Sequence, residues 1–164
     1  PDGGRGELLR SVDFARSCAE GDHGIVLVGW SLGGAAAAGL TLAAARLDVP
    51  LAHTVCLAGA FMVADPISGH RATEQLSAGR AGTPFTLLHG VHDDVVPLAA
   101  GREFAARLRE VGWPVDLREL SADHATIAGA AYDRVAERFG PATDEPALRV
   151  AEEVAGEIAA TFAR

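Results

Sequence analysis

The chain has 164 residues, of which 49% are hydrophobic and 5% aromatic, and its formal net charge is −8. This length allows a sizeable core, so we expect one domain over residues 1–164. The negative charge argues against nucleic acid or an anionic membrane as a partner, because both favour a basic protein face.

Apolar, β-rich runs alternate along the chain with stretches that have helical periodicity. In chain order we expect a helix from about Gly6 to Glu20, a strand Ile25–Val28, a helix from Ser31 to about Leu47, strands Thr54–Leu57 and Phe85–Leu88, a helix from about Leu98 that ends before Gly112, a strand Val115–Leu120, and a last helix from near Pro146. The buried stripe expected for the last helix comprises Ala147, Ala151, Val154, Ile158 and Phe162. This alternation predicts an α/β fold, with a mostly parallel sheet flanked by helices on both faces.

Two stretches interrupt the alternation. Residues 60–83 form a long connection with scattered Pro and Gly and a short helix expected around Ala72–Ser77, which is typical of a lid over a functional site. Residues 125–145 carry a second short helix expected near Tyr132–Phe139, and they could form one wall of a pocket.

The sequence Gly29-Trp30-Ser31-Leu32-Gly33 joins an apolar strand to an Ala-rich helix. This G-x-S-x-G pattern is typical of a sharp strand–turn–helix junction that exposes a nucleophilic serine, and its glycines are expected where the turn has no room for Cβ atoms. The free N–H of Leu32 at the helix start could stabilise an oxyanion. In the alternative interpretation, Ser31 only caps the helix.

Residues that could activate Ser31 follow two later strands. Asp93 and Asp94 come after Phe85–Leu88, and His124 comes after Val115–Leu120. Because parallel strands end at one edge of a sheet, we expect a carboxylate and His124 to lie near Ser31. Ser31 with His124 as base and a carboxylate behind it is the arrangement that acyl transfer needs.

These motifs resemble the α/β-hydrolases, in particular the branch of dienelactone hydrolases and small carboxylesterases. The resemblance rests on Gly29–Gly34, on His89-Gly90-x-x-Asp93-x-Val95-Val96-Pro97, and on Asp123-His124. It implies a triad of Ser31, Asp93 and His124, with Asp93 preferred to Asp94 because the acid lies three residues after the glycine. Many dienelactone hydrolases have a cysteine nucleophile, so the serine at position 31 favours hydrolysis of general carboxylic esters. The expected substrates also include thioesters and lactones.

The resemblance also implies features around the triad. Trp30, Phe61 and Met62 are candidate substrate-pocket residues, with an ordinary core position as the alternative for Phe61 and Met62. The partner is a small ester, and no cofactor or metal is expected. His89-x-x-His92-Asp93-Asp94 comes from a single turn and lacks a distant ligand, so it does not favour a metal site.

The segment Pro1–Gly6 resembles a loop that relatives place just before the helix leading to the serine. We therefore expect an N-terminally truncated hydrolase that lacks the loop carrying the second oxyanion donor. Its first strand would then be an exposed edge through which chains self-associate. The alternatives are a catalytically silent fragment or binding domain, and acyl transfer to an acceptor other than water.

Cys18 and Cys56 are the two cysteines. They lack metal-like spacing and are too few for a disulfide framework, so small buried side chains are expected at both positions. A reducing, cytoplasmic location follows as the expectation.

Overall fold

The computed structural model describes residues 4–18, 24–77 and 82–163. The α-helices are α1 (Arg5–Cys18), α2 (Leu32–Leu47), α3 (Leu98–Glu110) and α4 (Glu145–Ala160). The strands are β1 (Ile25–Trp30), β2 (Leu51–Leu57), β3 (Phe85–Gly90), β4 (Val115–Leu120), β5 (Ala130–Asp133) and β6 (Arg138–Pro141). Short 3-10 turns span Ala72–Gln75, Thr126–Ala128 and Thr161–Ala163.

Strands β1 to β4 form a parallel sheet in the order β1-β2-β3-β4. Because the four strands run in the same direction, their carboxyl ends lie at one edge. The sheet confirms the expected α/β class. Strands β1, β2 and β3 extend two or three residues beyond the predicted bounds at one end, and β4 has the predicted bounds.

Side chains alternate between the two faces of this sheet, as the pleat of a strand requires. On one face Cys56 and Leu87 pack with residues of α2 and α3, and α1 packs on α2. On the other face Val55 and Leu88 pack with α4 through Val154. Helices therefore cover both faces of the sheet, with a separate apolar core on each face.

Residues 60–77 are anchored to the rest of the fold by the side chain of Asp65. The carboxylate of Asp65 is buried against α2, where a Cβ on Gly39 would lie 2.0 Å from its Oδ1. Its oxygens accept hydrogen bonds from the N–H groups of Ile67 and Ser68, from the Ser68 hydroxyl and from Gln75 Nε2 at 2.6–2.9 Å. Asp65 therefore anchors this connection to α2. The expected role of residues 60–83 as a lid stays a prediction, and residues 78–81 lie outside the described part of the chain.

A β-hairpin replaces the helix expected near Tyr132–Phe139. Tyr132 faces Phe139 across β5 and β6, and their ring centroids lie 5.0 Å apart. The Asp133 carboxylate accepts the N–H groups of Val135 and Ala136 and so closes the turn. A turn closed by the Asp133 carboxylate, together with an aromatic pair facing across the two strands, favours a hairpin over a helix.

Two further expectations concern the ends of helices α4 and α1. Phe162 is exposed because α4 ends at Ala160 and the following 3-10 turn breaks the helical period. The predicted end of α1 at Glu20, and residues 1–3 of the opening loop, lie outside the described residues. Within the described ranges, no helix is both long and apolar enough to cross a membrane.

Candidate active site

Ser31 lies at the turn between β1 and α2, with φ 56° and ψ −119°. A residue with a side chain adopts such angles at a cost of about 1–3 kcal/mol, so surrounding contacts must hold it. Its N–H donates to the Leu57 carbonyl at 2.9 Å, and its own carbonyl accepts N–H groups from Gly34 and Ala60, both at 3.0 Å. These bonds fix the strained turn and present the Ser31 side chain at the carboxyl edge of the sheet.

The glycines around Ser31 differ in what they allow. A Cβ on Gly29 would lie 2.2 Å from the Gly33 carbonyl oxygen, and one on Gly34 would lie 2.8 Å from Gly59 Cα. No atom lies within 4 Å of a Cβ built on Gly33. The steric reason expected for the glycines therefore holds for Gly29 and Gly34 and is wrong for Gly33.

The structure brings Ser31, His124 and Asp93 together. His124 Nε2 lies 3.0 Å from Ser31 Oγ, and His124 Nδ1 lies 2.8 Å from Asp93 Oδ2. A carboxylate can only accept, so Nδ1 carries the proton and Nε2 is free to accept the Ser31 hydroxyl. Asp93 is the carboxylate in contact with His124, as the register of the motif predicted, whereas Asp94 is exposed.

Asp93 is held from both sides by the loop after β3. Its Oδ1 accepts the N–H groups of Val95 and Val96 at 2.9 and 2.8 Å, and its side chain is fully buried. His89 is also buried; its Nε2 lies 3.0 Å from the Val96 carbonyl and 3.5 Å from Asp93 Oδ2. The Val95 and Val96 amides are contacts that sequence reasoning missed, because main-chain donors leave no residue pattern.

Trp30 contacts His124 directly. Its Nε1 donates to the His124 carbonyl at 2.9 Å, and the two rings lie 5.3 Å apart. Phe139 of β6 meets Trp30 edge-on at a centroid distance of 5.2 Å. Trp30 therefore lies at the site, although its predicted contact with substrate stays a prediction, and Phe139 is a neighbour that the sequence did not indicate.

The start of α2 supplies the donors nearest to Ser31. The N–H groups of Gly34 and Ala35 donate to the Ser31 carbonyl, so the first amides of the helix, Leu32 and Gly33, have no partner within α2. The helix dipole adds positive potential at this end. The Leu32 N–H is therefore placed beside Ser31 as expected, and its role as an oxyanion donor stays a prediction.

Phe61 and Met62 lie in different surroundings. Phe61 is 3% exposed and packs on Phe104 with ring centroids 4.3 Å apart, which favours its core alternative. Met62 is exposed, and with Phe61, Arg71 and Glu103 it borders a small cavity of about 50 Å³. Its contact with substrate stays a prediction.

Asp123 shapes the loop that carries His124. Burial alone would raise the pKa of Asp123, but hydrogen bonds from Thr126 and Ala125 and the nearby His124 outweigh it and lower the pKa. Its Oδ1 accepts the Ala125 and Thr126 N–H groups at 2.9 and 2.8 Å, so Asp123 is a turn residue. In the part of the chain that the structure describes, no group of three or more His, Cys, Asp or Glu side chains is placed to hold a metal ion.

Solved structures with a similar fold include several esterases. Est1E from Butyrivibrio proteoclasticus matches with a TM-score of 0.60 and 18% identity over 96% of this chain and 69% of its own. Esterase PE8 matches with a TM-score of 0.56 and 22% identity over 93% of this chain and 59% of its own. Esterase 2 of Thermogutta terrifontis, in a form phosphoramylated by tabun, matches with a TM-score of 0.55 and 18% identity over 82% of this chain and 55% of its own. The chain thus spans between about half and about two thirds of the length of these proteins.

The sequence matches a protein family, whereas no curated protein matches it. The profile of the family described as Phospholipase/Carboxylesterase matches residues 13–132, which include Ser31, Asp93 and His124. The chain has the α/β-hydrolase fold and belongs to the phospholipase/carboxylesterase family.

Proposed function

We propose that this chain hydrolyses carboxylic esters of small molecules, with Ser31, His124 and Asp93 as its catalytic triad. One observation carries the proposal: Ser31 Oγ lies 3.0 Å from His124 Nε2, while a buried carboxylate holds the other nitrogen at 2.8 Å. This is the geometry of a serine activated by an oriented histidine. Membership of the phospholipase/carboxylesterase family supports the same reaction class.

In the proposed mechanism, Ser31 Oγ forms a bond to the ester carbonyl carbon while its proton passes to His124 Nε2. The bond between that carbon and the alcohol oxygen then breaks, and the oxygen leaves with the bonding electrons and the proton from Nε2. A water molecule repeats the sequence on the acyl-serine and releases the acid. Asp93 keeps the imidazole in the correct tautomer and stabilises its cation.

The oxyanion formed in each step faces the start of α2. The Leu32 N–H is the proposed donor there, supported by its place at the helix N-terminus. Nucleophile, base and carboxylate are all side chains of this chain, so the proposed reaction uses no cofactor. Thioesters and lactones present the same carbonyl group, so we include them among the proposed substrates. Within the α/β-hydrolases, the proposed branch is the one of dienelactone hydrolases and small carboxylesterases.

Hydrolysis of a short-chain ester such as 4-nitrophenyl acetate tests this function. We expect Ser31→Ala to lower kcat/KM by at least about a thousandfold, because the nucleophile is lost. Ser11→Ala, at an exposed position of α1, is the matched control and should retain the parent activity. Equal activity in the parent and in Ser31→Ala would contradict the proposal, and a folded but inactive parent would favour the catalytically silent alternative.

We propose a cytoplasmic location from the two cysteines. Both carry free thiols; the expected buried position is confirmed for Cys56 and wrong for Cys18, which is exposed. Unpaired thiols of this kind persist in a reducing compartment.

A further inference from the structure

A cavity of about 500 Å³ lies between the His124 loop and the β5–β6 hairpin. Of the three proposed triad residues, His124 is the one that borders it. The match to the family ends at residue 132, so the part of the lining that lies beyond it comprises Arg134, Phe139 and Asp144.

Its apolar wall comes from three partly exposed side chains. Tyr132 and Phe139 reach it from the hairpin, and Val95 reaches it from the loop after β3. Large apolar groups that remain 47–61% exposed beside a cavity are typical of a surface that a ligand covers. The Tyr132–Phe139 pair continues through Trp30 to the His124 ring, so the wall is fixed relative to the reacting nitrogen.

The position of the cavity relative to His124 decides which part of a substrate it takes. The carbonyl oxygen must face the amides at the start of α2, whereas the alcohol oxygen must receive its proton from His124 Nε2. A cavity on the His124 side therefore adjoins the alcohol group. We propose that it is a subsite for an aromatic or bulky apolar alcohol, with Tyr132, Phe139 and Val95 as specificity-determining residues; this inference rests on the proposed ester hydrolysis.

Three esters separate the alcohol side from the acyl side. Benzyl acetate and ethyl acetate share the acyl group and differ in the alcohol, whereas ethyl phenylacetate and ethyl acetate differ in the acyl group. Values of kcat/KM would be measured for the parent, for Tyr132→Ala and for Phe139→Ala. Val135→Ala, at a 96% exposed position in the hairpin turn, is the matched control.

We expect the ratio of kcat/KM for benzyl acetate to that for ethyl acetate to fall about three- to tenfold in Tyr132→Ala and Phe139→Ala, since each loses one aromatic contact. The ratio should not change in Val135→Ala. Tyr132→Phe keeps the ring and should therefore have the parent ratio. This result would show that the effect of Tyr132→Ala comes from loss of the ring and not from a general loss of folding.

The remaining outcomes contradict the inference in distinguishable ways. If hydrolysis depends on Ser31 but the benzyl-to-ethyl ratio is the same in all variants, the subsite is wrong and the proposed function stands. If the variants change the phenylacetate-to-acetate ratio instead, the cavity takes the acyl group. If the folded parent hydrolyses none of the three esters, the proposed function fails and the subsite fails with it.

Discussion

At the scale of single residues, Asp93 has the most constrained side chain of the site. One oxygen accepts two main-chain N–H groups, and the other accepts His124 Nδ1. All of these groups are donors, so the pocket around Asp93 suits a carboxylate and not an amide. Asp94 is next in sequence, but it is exposed and borders the cavity beside His124, so the two neighbouring carboxylates can be compared in different surroundings.

We predict that Asp93→Asn lowers kcat by about a thousand- to ten-thousandfold, because an amide NH₂ facing Nδ1 would favour the wrong histidine tautomer. Asp94→Asn should retain nearly the parent kcat. Both variants should be assayed with the same short-chain ester, with thermal unfolding as the check on folding. A larger loss in Asp94→Asn than in Asp93→Asn would show that the acid has been assigned to the wrong residue.

Ser31, Asp93 and His124 could be predicted because each follows a strand, and parallel strands end at one edge. The contact between Trp30 Nε1 and the His124 carbonyl could not, because it joins residues 94 positions apart through a main-chain oxygen. Phe61 was ambiguous for a different reason: an aromatic residue after a strand suits a pocket and a core equally well. The ring of Phe104, which packs on it, decides between them.

At the scale of elements, the junction of β1 and α2 depends on close contact between backbones. Gly29 meets the main chain of Gly33, and Gly34 meets that of Gly59 on the next connection. Because neither neighbour is a flexible side chain, a Cβ at either position would have to move backbone. Gly33 has no such neighbour, although it is the second glycine of the motif.

We predict that Gly29→Ala destabilises the fold by about 1–3 kcal/mol, the usual cost of forcing extra volume into packed structure. Gly33→Ala should change stability by less than about 0.5 kcal/mol, as substitutions into open space do. Urea unfolding of both variants and the parent measures this difference. Equal losses of stability would mean that the motif needs both glycines for a reason other than contact.

The hairpin shows where element prediction failed. Residues 125–145 contain few apolar residues with a clear period, and the turn depends on the Asp133 side chain bonding to the main chain. Similar local chemistry occurs in the 60–77 connection, where the buried Asp65 carboxylate accepts main-chain N–H groups of Ile67 and Ser68. A single polar side chain that accepts main-chain N–H groups leaves no periodic pattern in the sequence. The Asp133 turn and the burial of Asp65 could therefore not be predicted.

At the scale of the whole molecule, one edge of the parallel sheet is formed by the apolar strand β1. Within the described residues, β1 pairs with β2 along one side, and its other side has no strand partner. Val28 in the middle of β1 is an exposed apolar residue. An unpaired apolar strand is a template for pairing with another chain, which supports the expected self-association.

We predict that the parent chain associates as its concentration rises, and that Val28→Lys reduces the associated fraction because a charge disfavours edge pairing. Leu148→Lys places the same charge at an exposed apolar position on α4 and should leave association unchanged. Sedimentation velocity at several concentrations compares the three proteins. A parent that stays monomeric throughout, or equal effects of both lysines, would contradict the role of the β1 edge.

Labelling with a fluorophosphonate probe tests the central claim most directly, because the probe reacts with an activated serine and needs no knowledge of the substrate. The account predicts labelling of the parent chain and its loss in both Ser31→Ala and His124→Ala, with all three proteins folded by circular dichroism. Labelling that persists in Ser31→Ala would contradict the assignment of the nucleophile. A folded parent that is never labelled would mean that the three side chains lie together without activating Ser31.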